Sequence, residues 1–380
     1  MGFGRGSSGS SGGPRGGRVQ YSIRFAGYNQ PTGGGAILSS APRSASSIDS
    51  DGGSSLEQQA VELVSEDPLS RPLGAVWSFW SLPYDNLHKR RWLDDEFHLL
   101  SWSLSVMCAA EHFDELRLVT DTDGARLLVD RLELPFTAVS TTLDGLPAGS
   151  HRWWVLGKLR AYLEQELPFL HIDSDVYVWK ALPGPHQSAD VIAQHPEPAP
   201  PNDTTYYKPL QLHETFTRTG GLLPECIGRY MSNGGQTAFN VGVFGGHNLN
   251  VIHRYAHQAT ELITSSANDA AWQALGDPFA WSVFVEQYLL AAVCADMRGR
   301  QGGDIDIKFV FPSQEMAFRE TYARSVGYTH LIASLKRSQH LKRAVANRLR
   351  ARYPDVHERV RCVAAESTGC AGGIGLGGGL

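Results

Sequence analysis

With 380 residues, 42% of them hydrophobic and 19% charged, the chain is long enough to bury a substantial core in one large or two ordinary domains. A formal charge of −5 and a pI near 6.3 exclude a general attraction to nucleic acid or to an acidic membrane surface, so partners must be recognised locally. The cysteines Cys108, Cys226, Cys294, Cys362 and Cys370 stand far apart with no CxxC pair, which argues against a zinc knuckle or a disulfide framework and makes a reducing cytoplasm the default. The N-terminus lacks the apolar segment of a secretory signal, and no run approaches the roughly 20 apolar residues that cross a bilayer. A soluble, cytoplasmic protein without a transmembrane segment is expected.

Residues 1–70 are dominated by Gly, Ser, Pro and Ala, a composition that cannot offset the entropy of ordering, and are expected to be a disordered tail. A Val/Tyr/Ile/Phe patch at 19–25 is the exception, and the Gly-Ser repeat at 6–12 resembles a cloning linker. Order is expected over 71–355. A strand at Gly74–Trp80 ends before the turn at Pro83, and a helix follows from Asp94 to His112, with Phe97, Leu100, Leu104 and Met107 at helical spacing. Then come a strand at Leu116–Thr120, a helix at 124–133, a strand at Phe136–Thr142 and a helix at 151–166. The alternation predicts an α/β fold with an open sheet, whose ligands bind at the carboxyl ends of the strands.

The next stretch, Phe169 to Trp179, is a β-branched and aromatic run containing Asp173 and Asp175. In extended backbone, residues i and i+2 leave one face, so the two carboxylates converge while Ile172, Val176 and Val178 serve the core. Two close carboxylates repel unless neutralised, and a hard divalent cation neutralises them. This is the pattern of a metal and diphosphate site. Beyond a strand at Asp190–Gln194, residues 196–235 read as long irregular segments, the place expected for acceptor recognition. An apolar, glycine-studded strand, Phe239–Gly246, precedes helices at 248–266 and 278–296 and a short strand at Lys308–Phe311. A basic helix follows with Lys336, Arg337, Lys342, Arg343, Arg348, Arg350 and Arg352, suited to weak surface association. Residues 356–380 are expected to be a flexible Gly-rich tail.

Two other D-x-D pairs compete. Asp121/Asp123 closes a strand and opens a helix, which reads as turn chemistry and capping; its alternative is the nucleophile loop of a haloacid-dehalogenase-type phosphatase acting through Asp121. Asp304/Asp306 follows Gly302-Gly303 and reads as a solvated loop. Trp77, Trp80, Trp153 and Trp154 read as core or rim aromatics.

From about 74 to 340 the order of short motifs resembles the GT-A fold glycosyltransferases, in particular the glycogenin-like, metal-dependent group, and uncharacterised bacterial GT-A-like proteins. The motifs are Gly157-Lys158-Leu159-Arg160-Ala161 ahead of the acidic strand, Phe239-Asn240-Val241-Gly242-Val243, Glu286-Gln287-Tyr288-Leu289-Leu290, and His330 with Lys336 six residues on. The resemblance implies a GT-A-type mixed, mainly parallel sheet flanked by helices. It implies that Asp173, Asp175 and His330 hold Mn²⁺ or Mg²⁺ bridging the diphosphate of a nucleotide sugar, with Lys336 on the phosphates. Lys158 and Asn240 would lie near the donor sugar and Glu286 and Gln287 at the reacting face. The implied activity is retaining transfer of a hexose from a UDP-sugar to a glycan, protein or small-molecule acceptor; a catalytically silent sugar-nucleotide-binding protein is the alternative. Three positions depart from the family pattern. Ala333 stands for a glycine, Leu335-Lys336-Arg337 lacks the following Pro-Trp, and Glu286 replaces an aspartate.

Overall fold

A computed structural model of the chain describes residues 72–301 and 304–367. The tail expected over 1–70, its patch at 19–25 and the glycine-rich end lie outside them.

β1 (Gly74–Phe79) is the strand from which the sheet grows both ways. Ala75, Trp77 and Phe79 enter one core and Val76 enters the other, so both faces of the strand are buried, as in a central parallel strand. On one side β1 pairs in parallel with β2 (Leu116–Thr120), which pairs with β3 (Ala138–Ser140); on the other it pairs in parallel with β4 (Phe169–Ile172). β7 (Thr237–Gly246) then runs antiparallel between β4 and β6 (Val191–Pro198), and β8 (Ile307–Phe309) closes the edge parallel to β6. The seven strands are thus ordered β3-β2-β1-β4-β7-β6-β8. β5 (Val176–Val178) and β9 (Tyr328–His330) form a separate antiparallel pair. The fold is α/β, with a mixed, mostly parallel sheet flanked by helices.

One face is covered by helices Val155–Leu163, Leu249–Thr264 and the long segment beginning at Pro278; the other by Asp95–Ala109, Gln339–Arg352 and Pro354–Ser367. Asp94 caps Asp95–Ala109, its carboxylate accepting from the Phe97 N–H at 2.8 Å.

Several expectations need correction. The acidic stretch is no continuous strand: β4 stops at Ile172, and the Asp173–Asp175 turn separates it from β5. The third strand shortens to Ala138–Ser140, and the helix at 124–133 becomes a short α-turn, Thr122–Ala125, running into the wider i→i+5 turn Arg126–Arg131. The segment 196–235 is largely regular. β6 continues through Pro196 and Pro198, which is possible because β8 pairs only with Val191–Ala193 and leaves that side of β6 without a ladder to break. Helices Pro209–Thr219 and Glu225–Ser232 occupy much of the rest.

Near the C-terminus, helix Pro354–Ser367 carries the ordered domain past residue 355, burying Val356, Val360, Val363 and Ala364 at helical spacing. The preceding basic helix spans Gln339–Arg352; Lys336 and Arg337 lie before it in a 3₁₀ turn. Lys342 is bonded to Asp94 at 2.7 Å and Glu96 at 2.5 Å, and Arg352 to Glu111 at 2.6 Å, so part of that charge is spent inside the fold. The 22-residue helix Pro278–Gly299 is, against expectation, long and apolar enough to cross a bilayer; 72% of its apolar window is buried here among the other helices.

Candidate metal and phosphate site

The acidic turn is built by its neighbours. Asp173 N–H still donates to Gly242 O on β7 at 2.9 Å, and Val176 N–H donates back to Asp173 O at 2.9 Å, closing the turn. Its carbonyls are also held from helix Asp95–Ala109, where Ser105 Oγ donates to Asp173 O at 3.2 Å and Ser101 Oγ to Ser174 O at 2.9 Å. Leu331 N–H donates to Asp175 O at 2.9 Å. The two carboxylates converge because the chain turns, not because a pleat alternates.

His330 arrives through the β5–β9 ladder, whose register sets it opposite Val176. Its Nδ1 lies 2.8 Å from Gln194 Oε1, which also accepts from Tyr328 OH at 2.7 Å. With that oxygen accepting, Nδ1 carries a proton and Nε2 is turned toward Asp175 Oδ2, 3.5 Å away. One donor atom from each of Asp173, Asp175 and His330 lies within 4.8 Å of the others. Gly242 makes room for this: a Cβ there would come within 2.1 Å of Gln194 Oε1 and 2.7 Å of His330 Nδ1.

Two lysines complete the cluster. Lys158 Nζ, on helix Val155–Leu163, lies 2.6 Å from Asp173 Oδ1 and 2.7 Å from Glu286 Oε1. Burial opposes its charge, but the two carboxylates outweigh burial and hold the ammonium above its ordinary range. Burial pushes Asp173 and Glu286 up, with Lys158 pulling against it. Lys336 Nζ lies 2.5 Å from Asp175 Oδ2 and 5.3 Å from the Trp92 ring centroid. For Asp175, burial works against ionisation, yet Lys336 and His330 together hold the carboxyl well below the usual range.

Glu286 and Gln287 sit where the long helix widens to i→i+5 over Phe284–Tyr288, and both are buried, which rules out a solvated polar face. Gln287 and Asn240 do not touch the acidic turn. They converge on Glu197, which sequence reasoning missed. Asn240 Nδ2 donates to Glu197 Oε1 at 2.7 Å, and Tyr207 OH lies 2.6 Å from both Glu197 Oε2 and Gln287 Oε1. A Glu between two prolines in His195-Pro196-Glu197-Pro198 signals a loop, and only the one-sided pairing of β6 turns it into a buried strand residue. His171, also passed over, is buried with Nε2 2.9 Å from Ser78 Oγ and Nδ1 3.8 Å from Asp173 Oδ1; burial and Lys158 push its pKa down, so it is neutral.

The other acidic pairs behave differently. Asp121 Oδ1 accepts from Gly124 N–H at 2.8 Å, and Oδ2 from Ser81 N–H at 2.8 Å and Ser81 Oγ at 2.6 Å, which is capping and loop tethering. Asp304 and Asp306 are exposed. Of the four tryptophans singled out, Trp77, Trp80 and Trp153 are core residues, and Trp154 lies at the rim, 5.6 Å from Lys158 Nζ. The four described cysteines, Cys108, Cys226, Cys294 and Cys362, are unpaired.

No curated protein matches the chain. The family model DUF6734, described as a family of unknown function, matches residues 74–363, from the first residue of β1 into the last helix, and the chain belongs to that family.

Proposed function

We propose that the protein is a metal-dependent glycosyltransferase that takes a sugar from a nucleoside-diphosphate donor, with a UDP-sugar as the leading candidate. The observation that carries this reading is the convergence of Asp173, Asp175 and His330, whose donor atoms lie within 4.8 Å of one another. Two hard oxygens and an imidazole oriented by Gln194 through Nδ1 fit a divalent cation, and the imidazole favours Mn²⁺ over Mg²⁺. The GT-A-like reading is supported by the meeting of motifs scattered from Lys158 to Lys336, and by the antiparallel β7 lying next to the acidic β4.

Charge decides what else the site accepts. The carboxylates of Asp173, Asp175 and Glu286 face the ammoniums of Lys158 and Lys336, leaving one net negative charge among these five groups. A bound divalent cation would make that balance positive, which suits a diphosphate and the negative charge that grows on it as the sugar leaves. Lys336, partly exposed, is the residue free to turn from Asp175 toward a phosphate; Lys158 keeps Glu286 oriented. A cavity of about 260 Å³ at the ends of β1 and β2, lined by Phe79, Ser81, Tyr84, Asp95 and His98 among others, has room for the nucleoside. Trp102 Nε1–H donates to His98 Nε2 at 3.0 Å, so the buried His98 Nδ1 carries a proton with no acceptor among the described residues.

One observation favours the alternative of a silent sugar-nucleotide-binding protein: Lys158 occupies both Asp173 and Glu286, neutralising them without a cation. Calorimetric titration of UDP with and without Mn²⁺ tests the main reading. Mn²⁺-dependent binding, weakened at least tenfold in Asp175→Asn, is expected, followed by donor hydrolysis or transfer in a screen of sugar nucleotides. Binding with no turnover of any donor, with or without Mn²⁺, identifies the silent protein, and no UDP binding under either condition refutes both.

A further inference from the structure

The mouth of this site has two walls of different chemistry. On one side Asp203 gathers the chain ahead of helix Pro209–Thr219, its carboxylate accepting from the backbone N–H groups of Thr205 at 2.9 Å, Tyr206 at 3.1 Å and Tyr207 at 2.6 Å. Lys208 ends the turn in the left-handed region at φ 51°. Adjacent tyrosines are thereby sent opposite ways. Tyr207 is buried at 2% exposure with its hydroxyl on Glu197 and Gln287, whereas Tyr206 is 55% exposed, its ring edge-on to Tyr207 with centroids 4.8 Å apart. An exposed aromatic in a turn held by three backbone hydrogen bonds and a strained residue is not an incidental surface side chain.

On the other side the Arg91 guanidinium lies 4.0 Å from the Phe279 ring centroid, and Phe279 borders Trp154, which borders Lys158. Stacking fixes the guanidinium plane and leaves its N–H edge available. Arg337 donates to Arg90 O at 2.9 Å, which brings a second guanidinium beside the first. Among the described residues no carboxylate forms an ion pair with either. Burial and Arg337 push Arg91 down while Tyr206 and Asp277 act to raise it, and Arg91 and Tyr206 are near enough that each perturbs the other's ionisation. Two neighbouring exposed guanidiniums, neither ion-paired among the described residues, offer an anion a place to bind.

We propose that this mouth is the acceptor subsite and that the acceptor is an anionic saccharide, its ring against Tyr206, its carboxylate or phosphate on Arg91 and Arg337, and a hydroxyl directed toward Glu286 and Gln287. The inference rests on the transferase reading. In transfer, the acceptor oxygen bonds to the anomeric carbon while that carbon's bond to the diphosphate breaks; the diphosphate leaves with the electron pair and takes up the hydroxyl proton.

The test uses the full chain with UDP and Mn²⁺ present, titrated with trigalacturonate, maltotriose 6-phosphate and neutral maltotriose. At least one anionic probe should bind tenfold or more tightly than maltotriose, and which one separates carboxylate from phosphate. Arg91→Ala should lose that preference, and Tyr206→Ala should weaken all saccharide binding tenfold or more. Both variants should bind UDP–Mn²⁺ as the unaltered protein does, which guards against a folding defect. Equal binding of all three probes, binding of neither anionic probe, or an unchanged preference in Arg91→Ala overturns the proposal. Failure of UDP–Mn²⁺ binding in the unaltered protein is read separately and overturns the donor assignment.

Discussion

Asp121-Thr122-Asp123 and Asp173-Ser174-Asp175 have the same spacing, and both follow a parallel strand of one sheet, yet they do opposite things. At the first, Asp121 is consumed by N–H and O–H donors from its own loop and from Ser81, and Asp123 faces solvent with Arg126 at 2.7 Å. At the second, the backbone is held by Ser101, Ser105 and Gly242, so both side chains are left to face lysines and a histidine from elsewhere in the chain. Chemistry at a D-x-D pair depends on what satisfies the turn. Where other residues do so, the carboxylates remain for a ligand.

The sharpest way to break the comparison is to remove a partner from the second pair. Lys336→Met leaves Asp175, only 3% exposed, without its ammonium, and should cost about 3 kcal/mol in denaturant unfolding of the metal-free protein at pH 7. The pH dependence should change with it. Because Lys336 and His330 hold the folded-state pKa of Asp175 below its unfolded value of about 4, its stabilisation is present above that pH and lost as pH falls through the lower folded value. In Lys336→Met burial dominates, the shift reverses, and acidification near pH 4 should stabilise the variant relative to the unaltered protein. An unchanged acid profile would refute the pairing.

A smaller effect is expected at Gly242. Gly242→Ala drives a methyl into Gln194 and His330, and should cost about 2 kcal/mol of stability and roughly tenfold in Mn²⁺ affinity, because the imidazole loses the contact that orients it. Asp121→Ala sharpens the contrast from the other side: about 1 kcal/mol of stability lost with the cap, and Mn²⁺ binding unaltered. The smallest change is a gain. Ala333 has φ 50°, the conformation that suits the glycine expected there, so Ala333→Gly should stabilise by about 0.5–1 kcal/mol on chemical denaturation.

Much of this was legible in the chain. The apolar runs at Gly74–Phe79 and Leu116–Thr120 and the Asp-capped helix at Asp95–Ala109 follow from burial pattern and capping alone. Asp173 and Asp175 were legible as a metal pair from their own spacing, but His330 only through the ordered set of motifs, since nothing local in Tyr328-Thr329-His330 says that β9 will pair with β5. What sequence reasoning missed depended on distant partners. The turn at Asp173 contains no Gly or Pro and is imposed by Ser101, Ser105 and β7. Glu197 became a buried strand residue because β8 is too short to contest its prolines. Helix Pro354–Ser367 was readable from Val356, Val360, Val363 and Ala364, but the glycine-rich composition beyond it masked the pattern.

The central claim is that one cation is shared by Asp173, Asp175 and His330. Crystals grown with UDP and Mn²⁺ and measured at the manganese absorption edge test it without reference to activity. The account predicts a single anomalous peak at bonding distance from a carboxylate oxygen of each aspartate and from His330 Nε2. A peak bound by other residues, or none there with UDP in place, would contradict it.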